Sequence, residues 1–249
     1  MRKIVITSGK GGVGKTTLTA TLGRKLAWLG YKVVLVDGDV GLNNLDVVTG
    51  IERRVVYDIY DVLTGRCRAF QALVCDSESN MRVLPSSREC EVITAQAFRG
   101  VVDTFCDFDF VLIDCPAGIE HGFHRAVSAA DEAIIVTTPS VSAIRDADKV
   151  ASLLFTYHLK DVSLVINRVR GDMVARGEML RASEIGSLLH LPPIGVIPED
   201  DMITLYQQFG NVPNSAPSSK AFDNLASNVA NGSKVFFDIS KRRGFRRIR

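Results

Sequence analysis

Gly9, Gly14, Lys15 and Thr16 stand at the spacing G-x-x-x-x-G-K-[ST], inside the run Thr7-Ser8-Gly9-Lys10-Gly11-Gly12-Val13-Gly14-Lys15-Thr16-Thr17. A β-branched run precedes it and a helical pattern follows, the strand–loop–helix setting in which this spacing binds phosphate. The glycines let successive backbone N–H groups converge on phosphate oxygens without Cβ collisions. A helix opening near Lys15 adds its positive end. Lys15 can then reach β- and γ-phosphates, and the Thr16 hydroxyl can hold Mg²⁺. Lys10 is a second ammonium, at the mouth of the same loop. From there it can reach outward to the phosphates of another subunit, a charge supplied in trans. The plainer alternative is a solvated surface lysine.

Acids at strand ends complete a metal–nucleotide chemistry. Val36-Asp37-Gly38-Asp39 closes a second apolar run, and the two-residue strand period places Asp37 and Asp39 on one side. Carboxylates beside phosphates repel them unless Mg²⁺ and water intervene. One of the pair can hold the metal's water shell and the other orient the attacking water. Alternatively, both cap the backbone of a turn. Phe110-Val111-Leu112-Ile113-Asp114 is an apolar strand with an acid at its carboxyl end, the Walker-B arrangement for Mg²⁺.

These groups need a rigid frame, and the patterning supplies one. Strands are expected at Lys3–Thr7, Lys32–Asp37, Met81–Leu84, Phe110–Asp114, Ala133–Thr138, Ser163–Asn167 and Ile194–Ile197. Most are unbroken apolar runs, as in parallel strands covered on both faces. Helical patterns lie between them at 15–30, 57–63, 93–106, 120–130, 141–158, 179–190 and 218–230. The alternation predicts an α/β fold, a doubly wound, mostly parallel sheet with helices on both faces. The chain divides into an expected nucleotide-binding domain over 1–232 and a basic tail over 233–249.

With 249 residues, 46% apolar and 23% charged, the chain can bury a large core and is not a disordered polymer. No apolar run approaches the roughly 20 residues that cross a bilayer. The opening Met1-Arg2-Lys3 passes straight into a strand pattern, so no signal peptide is expected. Five cysteines without a CxxC pair suit reduced thiols. The net charge of +2 conceals an asymmetry: residues 234–249 carry seven Lys/Arg against Asp238, hence +6, leaving −4 on the rest. That division points to an interaction tail.

The run around Lys10 and Lys15 resembles the deviant Walker-A ATPases, the ParA/MinD group. Asp37-Gly38-Asp39-Val40-Gly41-Leu42-Asn43-Asn44-Leu45-Asp46 is similar to the group's switch I, and Asp114-Cys115-Pro116-Ala117-Gly118-Ile119-Glu120 to its switch II. Ala143-Ile144-Arg145-Asp146-Ala147-Asp148, Val165-Ile166-Asn167-Arg168-Val169-Arg170 and Gly195-Val196-Ile197-Pro198-Glu199-Asp200 resemble its septum-site branch. The similarity spans about residues 1–210.

That resemblance implies an ATP-hydrolysing, Mg²⁺-dependent switch that closes into a homodimer over two nucleotides. It implies a cytoplasmic protein that docks peripherally on the inner face of the cell membrane and selects the division site. Residue by residue, Lys10 takes the role of the lysine acting across the dimer, and Lys15 and Thr16 those of the loop lysine and metal ligand. Gly11, Gly12, Val13, Gly14 and Thr17 complete the nucleotide loop. Asp39 positions water with Asp37 beside it, and Asp114 lies near Mg²⁺. Asn167 contacts adenine, with Arg168, Pro198 and Glu199 closing the base pocket. Implied partners are an anionic membrane surface and division-inhibitor and activator proteins (MinC-like, and MinE-like or a topological substitute). A ParA-type DNA-partition ATPase gripping nucleic acid and a flagellar-number ATPase are the alternatives. Asn43 departs from the arginine often found there.

The tail would supply the membrane contact through Phe245, Arg246, Arg247 and Ile248. The two apolar side chains give at most about 1.5–3 kcal/mol each when buried at the headgroup boundary. Basic residues near an anionic leaflet add about 1 kcal/mol each. One tail therefore binds marginally, whereas two joined by dimerisation bind far more tightly. Val235, Phe236, Phe237 and Ile239 do not continue the stripe of Phe245 and Ile248, so some are expected to pack on the body.

Overall fold

The computed structural model describes residues 1–41, 44–87, 93–203 and 216–239. The tail residues Phe245, Arg246, Arg247 and Ile248, together with Asn43, lie outside them.

In chain order the elements are β1 (Arg2–Thr7), α1 (Lys15–Trp28), β2 (Val33–Asp37), α2 (Asn44–Thr49), α3 (Ile59–Leu63), β3 (Val74–Cys75), β4 (Arg82–Leu84) and α4 (Ala95–Asp103). Then come β5 (Phe110–Asp114), α5 (His121–Ser128), β6 (Glu132–Thr137), α6 (Val141–Leu154), β7 (Asp161–Val169), α7 (Gly171–Ala175), α8 (Ala182–Leu189), β8 (Pro193–Pro198) and α9 (Pro217–Asn231). The sheet runs β3-β4-β2-β5-β1-β6-β7-β8. Every pairing is parallel except the short edge pair β3–β4.

All seven expected strands and all seven expected helices are present. Their bounds shift where local backbone chemistry intervenes. The pattern over 141–158 is helical only to Leu154, because a tight turn at Phe155–Tyr157 leads to His158 at φ 52°. The expected helix over 179–190 starts only at Ala182, where Arg181 is extended and its N–H is held by Glu184. The edge strand β3 and helices α2 and α7 are too short to leave a period in the sequence.

The strand period sorts the core into two layers. Val5, Val34, Val36, Val111 and Ile113 face α4, α5 and α6 on one side of the sheet. Ile4, Ile6, Val33, Leu35 and Leu112 face α1 and α9 on the other. Each such buried side chain contributes about 1.5–3 kcal/mol relative to exposure. The polar carboxyl ends of β1, β2 and β5 therefore project from a frame that cannot shift without opening both layers.

After α9 the chain does not leave the body at once. Gly232 stops the helix at φ 67°. Asn228 then holds the return: its Nδ2 donates to the Val235 and Ile194 carbonyls, and its Oδ1 accepts from the Val235 N–H. Phe237 and Ile239 pack against the core, whereas Val235 and Phe236 are exposed. The expected division of labour among these four side chains is met.

Candidate nucleotide site

Strand register brings the acids together. Asp114 pairs in register with Ile6 on β1 and with Asp37 on β2, so the phosphate loop leaving β1 starts beside both carboxylates. Within that loop Gly14 sits at φ 98°, and a Cβ there would lie 2.5 Å from Asn167 Nδ2. Glycine is required twice over, by backbone sign and by space. Gly9 is needed for contact alone: a Cβ would stand 2.2 Å from the Asp146 carbonyl oxygen on α6. Gly14 precedes α1 with no side-chain cap and no acid in the first turn. The helix thus presents an uncapped positive end at the loop.

The two lysines of the loop differ in their surroundings. Lys15 is only 8% exposed, and its Nζ donates to Ser8 Oγ at 2.9 Å. Burial pushes its ammonium below the ordinary range, opposed by the nearby Asp114 charge. Lys10 is exposed, and its Nζ donates to Ser142 Oγ, 3.0 Å away at the start of α6.

Asp114 is fully buried and accepts two hydroxyls of α1, Thr16 Oγ1 at 2.7 Å and Thr19 Oγ1 at 3.0 Å. Thr16 and Thr19 are three apart, on one helix face. Burial pushes the carboxyl of Asp114 up to about 6, against those hydrogen bonds and Lys15. Asp37 is also buried; its oxygens accept the backbone N–H groups of Asp39 at 2.9 Å and Leu45 at 3.2 Å. Burial, and then the charge of Asp114, push Asp37 well above the carboxylate range.

The expected strand-face pairing of Asp37 with Asp39 is corrected here. The strand ends at Asp37, and the chain turns so that Asp39 N–H folds back onto the Asp37 carboxylate. Asp39 is half-buried and faces Lys15 and Arg125, with the Asn44 side chain donating to it. Burial raises its carboxyl, and Lys15 and Arg125 oppose that rise.

The residues present fit Mg²⁺ held with a nucleotide. Among the described residues no three carboxylate, imidazole or thiol groups converge as a ready-made cage. Mg²⁺ in nucleotide sites keeps waters and uses few protein ligands beside phosphates. Two buried carboxylates that form no salt bridge among the described residues, next to a threonine hydroxyl and an open loop, suit that arrangement.

On the base side, Asn167 Nδ2 donates to the Val13 carbonyl at 2.8 Å and its Oδ1 accepts the Arg168 N–H at 2.9 Å. One amide hydrogen and one lone pair remain for a ligand. Arg168 is exposed, with φ 57°. Pro198 ends β8, and the Glu199 N–H reaches back to the Val169 carbonyl at 3.0 Å. All the site residues expected before the tail therefore line one end of the sheet. Ser8, Thr19, Asn44, Arg125 and Ser142 were missed by the sequence reading. Only Thr19 carried a usable signal, its helical spacing from Thr16.

Cys115 is buried beneath this site, and burial pushes its thiol up to about 12.

Residues 4–213 match the CobQ/CobB/MinD/ParA nucleotide binding domain. The septum site-determining protein MinD of Synechocystis sp. is 50% identical over 208 residues, covering 82% of this chain and 78% of that protein. The MinC:MinD cell division protein complex of Aquifex aeolicus contains a chain that superposes with a TM-score of 0.88 at 42% identity, covering 96% of this chain and 98% of that one. MinD of Pyrococcus horikoshii OT3 complexed with Mg-ADP superposes with a TM-score of 0.84 at 32% identity, covering 92% and 96%. A phosphate loop beside paired buried acids and kinship at this level lead to one assignment: the chain belongs to the MinD septum site-determining ATPases of the CobQ/CobB/MinD/ParA nucleotide-binding family.

Proposed function

We propose that this ATPase of septum-site selection is a clamp gated by its own nucleotide: two copies close over two ATP molecules, and only the closed pair holds to an anionic membrane. The carrying observation is the contrast between its two loop lysines. Buried Lys15 turns back into its own loop, donating to Ser8 Oγ, whereas Lys10 lies at the exposed mouth with its Nζ on the Ser142 hydroxyl. A lysine so placed gains a partner when a second copy presents its phosphates.

Within each half-site, Gly11, Gly12, Val13, Gly14 and Thr17 wrap the phosphates. Thr16, with Asp114, Asp37 and Asp39 behind it, would hold the metal and its water shell. When bound, Mg²⁺ would supply charge neutralisation to the phosphates. Asp39 orients a water whose oxygen bonds to the γ-phosphorus as the bond to the bridging oxygen breaks, giving ADP and phosphate. Asn167, Arg168, Pro198 and Glu199 hold the adenine.

Hydrolysis separates the two copies, and with them the paired tails. Phe245, Arg246, Arg247 and Ile248 in duplicate bind through effective concentration, whereas a single set does not hold. A MinC-like inhibitor docks on the closed pair, by analogy with the complex of the Aquifex relative. An activator of the MinE kind, or a topological substitute for it, sets the turnover. The working location is thus the cytoplasmic face of the cell membrane.

Cosedimentation with phosphatidylglycerol-containing vesicles tests this. The full chain pellets with ATP and Mg²⁺, stays in solution with ADP, and loses ATP-dependent pelleting when residues 244–249 are removed. Equal pelleting with ADP, or pelleting indifferent to the truncation, contradicts it. Nucleotide-dependent binding to nonspecific DNA in place of vesicles would instead favour a partition ATPase.

A further inference from the structure

The peptide between Asp37 and Asp39 is pinned from both sides. Gly38 N–H donates to the Asp114 carbonyl at 2.9 Å, and a Cβ on Gly38 would lie 2.7 Å from that oxygen. On the other side, the Gly38 carbonyl accepts Arg125 Nη2 at 3.0 Å. Arg125 belongs to α5, the helix that follows the switch II segment. Its guanidinium lies over the Phe98 ring, 5.9 Å from the centroid, and within electrostatic reach of Asp39. Its Nε is buried with no hydrogen-bond partner among the described residues. Holding a half-buried cation with one nitrogen unsatisfied is costly. A structural need for α5 alone does not explain it, since an aliphatic side chain would cover Phe98 without that cost.

We propose that Arg125 is a positioning residue for ATP hydrolysis, fastening the Gly38 carbonyl to α5 so that Asp39 meets the attacking water in line. The proposal rests on the role given above to Asp39. The phosphates would be held by the loop and α1, whereas the hydrogen bond of Arg125 goes to the Gly38 carbonyl. Its loss therefore acts on the chemical step and leaves nucleotide binding alone. Small misplacements of a reacting group are costly in rate, up to roughly 100-fold for about 1 Å. Lysine retains the charge and one donor on a shorter stem, and recovers part of the effect.

The test measures steady-state ATPase kinetics of the full chain carrying Arg125→Met, Arg125→Lys, Asp39→Ala, and Asp39→Ala with Arg125→Met. Arg125→Met is expected to lower kcat about 10-fold or more, with KM for ATP and ADP affinity within about twofold. Arg125→Lys should recover at least a third of wild-type kcat. The double variant should be no slower than Asp39→Ala alone, because the two act as one unit. Parallel changes in KM, ADP affinity and thermal midpoint, no advantage of lysine over methionine, or multiplicative losses in the double variant overturn the proposal. Undiminished turnover in Asp39→Ala sinks the role of Asp39 itself. A slow Asp39→Ala beside a normal Arg125→Met sinks only the role of Arg125.

Discussion

Thr16 and Asp114 are joined by a hydrogen bond of 2.7 Å that links the first turn of α1 to the last residue of β5. The same carboxylate takes the Thr19 hydroxyl, so one buried acid is held by two rungs of one helix. This bond fixes the hydroxyl and the carboxylate beside one another before any ligand arrives.

The burial of Asp114 has a stability consequence whose sign is set by its raised pKa. Between the ordinary 3.8 and about 6 the folded chain binds more protons here than the unfolded chain does. This group's contribution is therefore most favourable below 3.8 and is lost as pH rises through about 6. The gap corresponds to about 3 kcal/mol at neutral pH. Asp114→Asn keeps a partner for both threonines without the charge. In EDTA and without nucleotide, it should melt higher than wild type at pH 8, with the advantage shrinking towards pH 5. The same variant should lose Mg²⁺-dependent tightening of ATP binding. Thermal melts across that pH range check the first outcome and titration calorimetry the second.

Gly14→Ala meets both a left-handed backbone angle and the Asn167 amide. It should abolish nucleotide binding, while the melting temperature without ligand falls by only a few degrees, since the loop lies at the sheet's end rather than in its core. Fluorescent-nucleotide titration measures the loss. Binding within threefold of wild type would show that the loop does not cradle phosphate in this conformation.

The two lysines should separate cleanly. Lys15→Ala removes the buried ammonium and should weaken ATP and ADP alike by about 100-fold or more, as expected for a lost charge-assisted phosphate contact. Lys10→Ala should leave ADP affinity within threefold and abolish ATP-dependent association. Equal damage to ADP binding from both would place Lys10 on its own chain's phosphates.

Much of this was legible in the amino-acid sequence because it repeats with a period or fixes a spacing. Val33-Val34-Leu35-Val36 and Val111-Leu112-Ile113 declare buried parallel strands, and Gly14-Lys15-Thr16 after such a strand declares the loop. What stayed hidden depends on contacts between distant segments. The grip of Arg125 on Gly38 spans 87 residues, and that of Lys10 on Ser142 spans 132. Neither leaves a local pattern. The turn after Asp37 was misread because extending a strand's period by two residues looks the same in sequence as folding back on a carboxylate. Asn167 had no signal of its own beyond its family likeness, and the structure adds its brace on Val13.

The gating claim is tested most directly by multi-angle light scattering on Asp39→Ala, which should bind ATP and stall before hydrolysis. With ATP and Mg²⁺ it should elute at twice the 27.2 kDa of one chain, and with ADP at one chain's mass. A single-chain mass under both nucleotides, in a sample proven to hold ATP, would contradict the clamp.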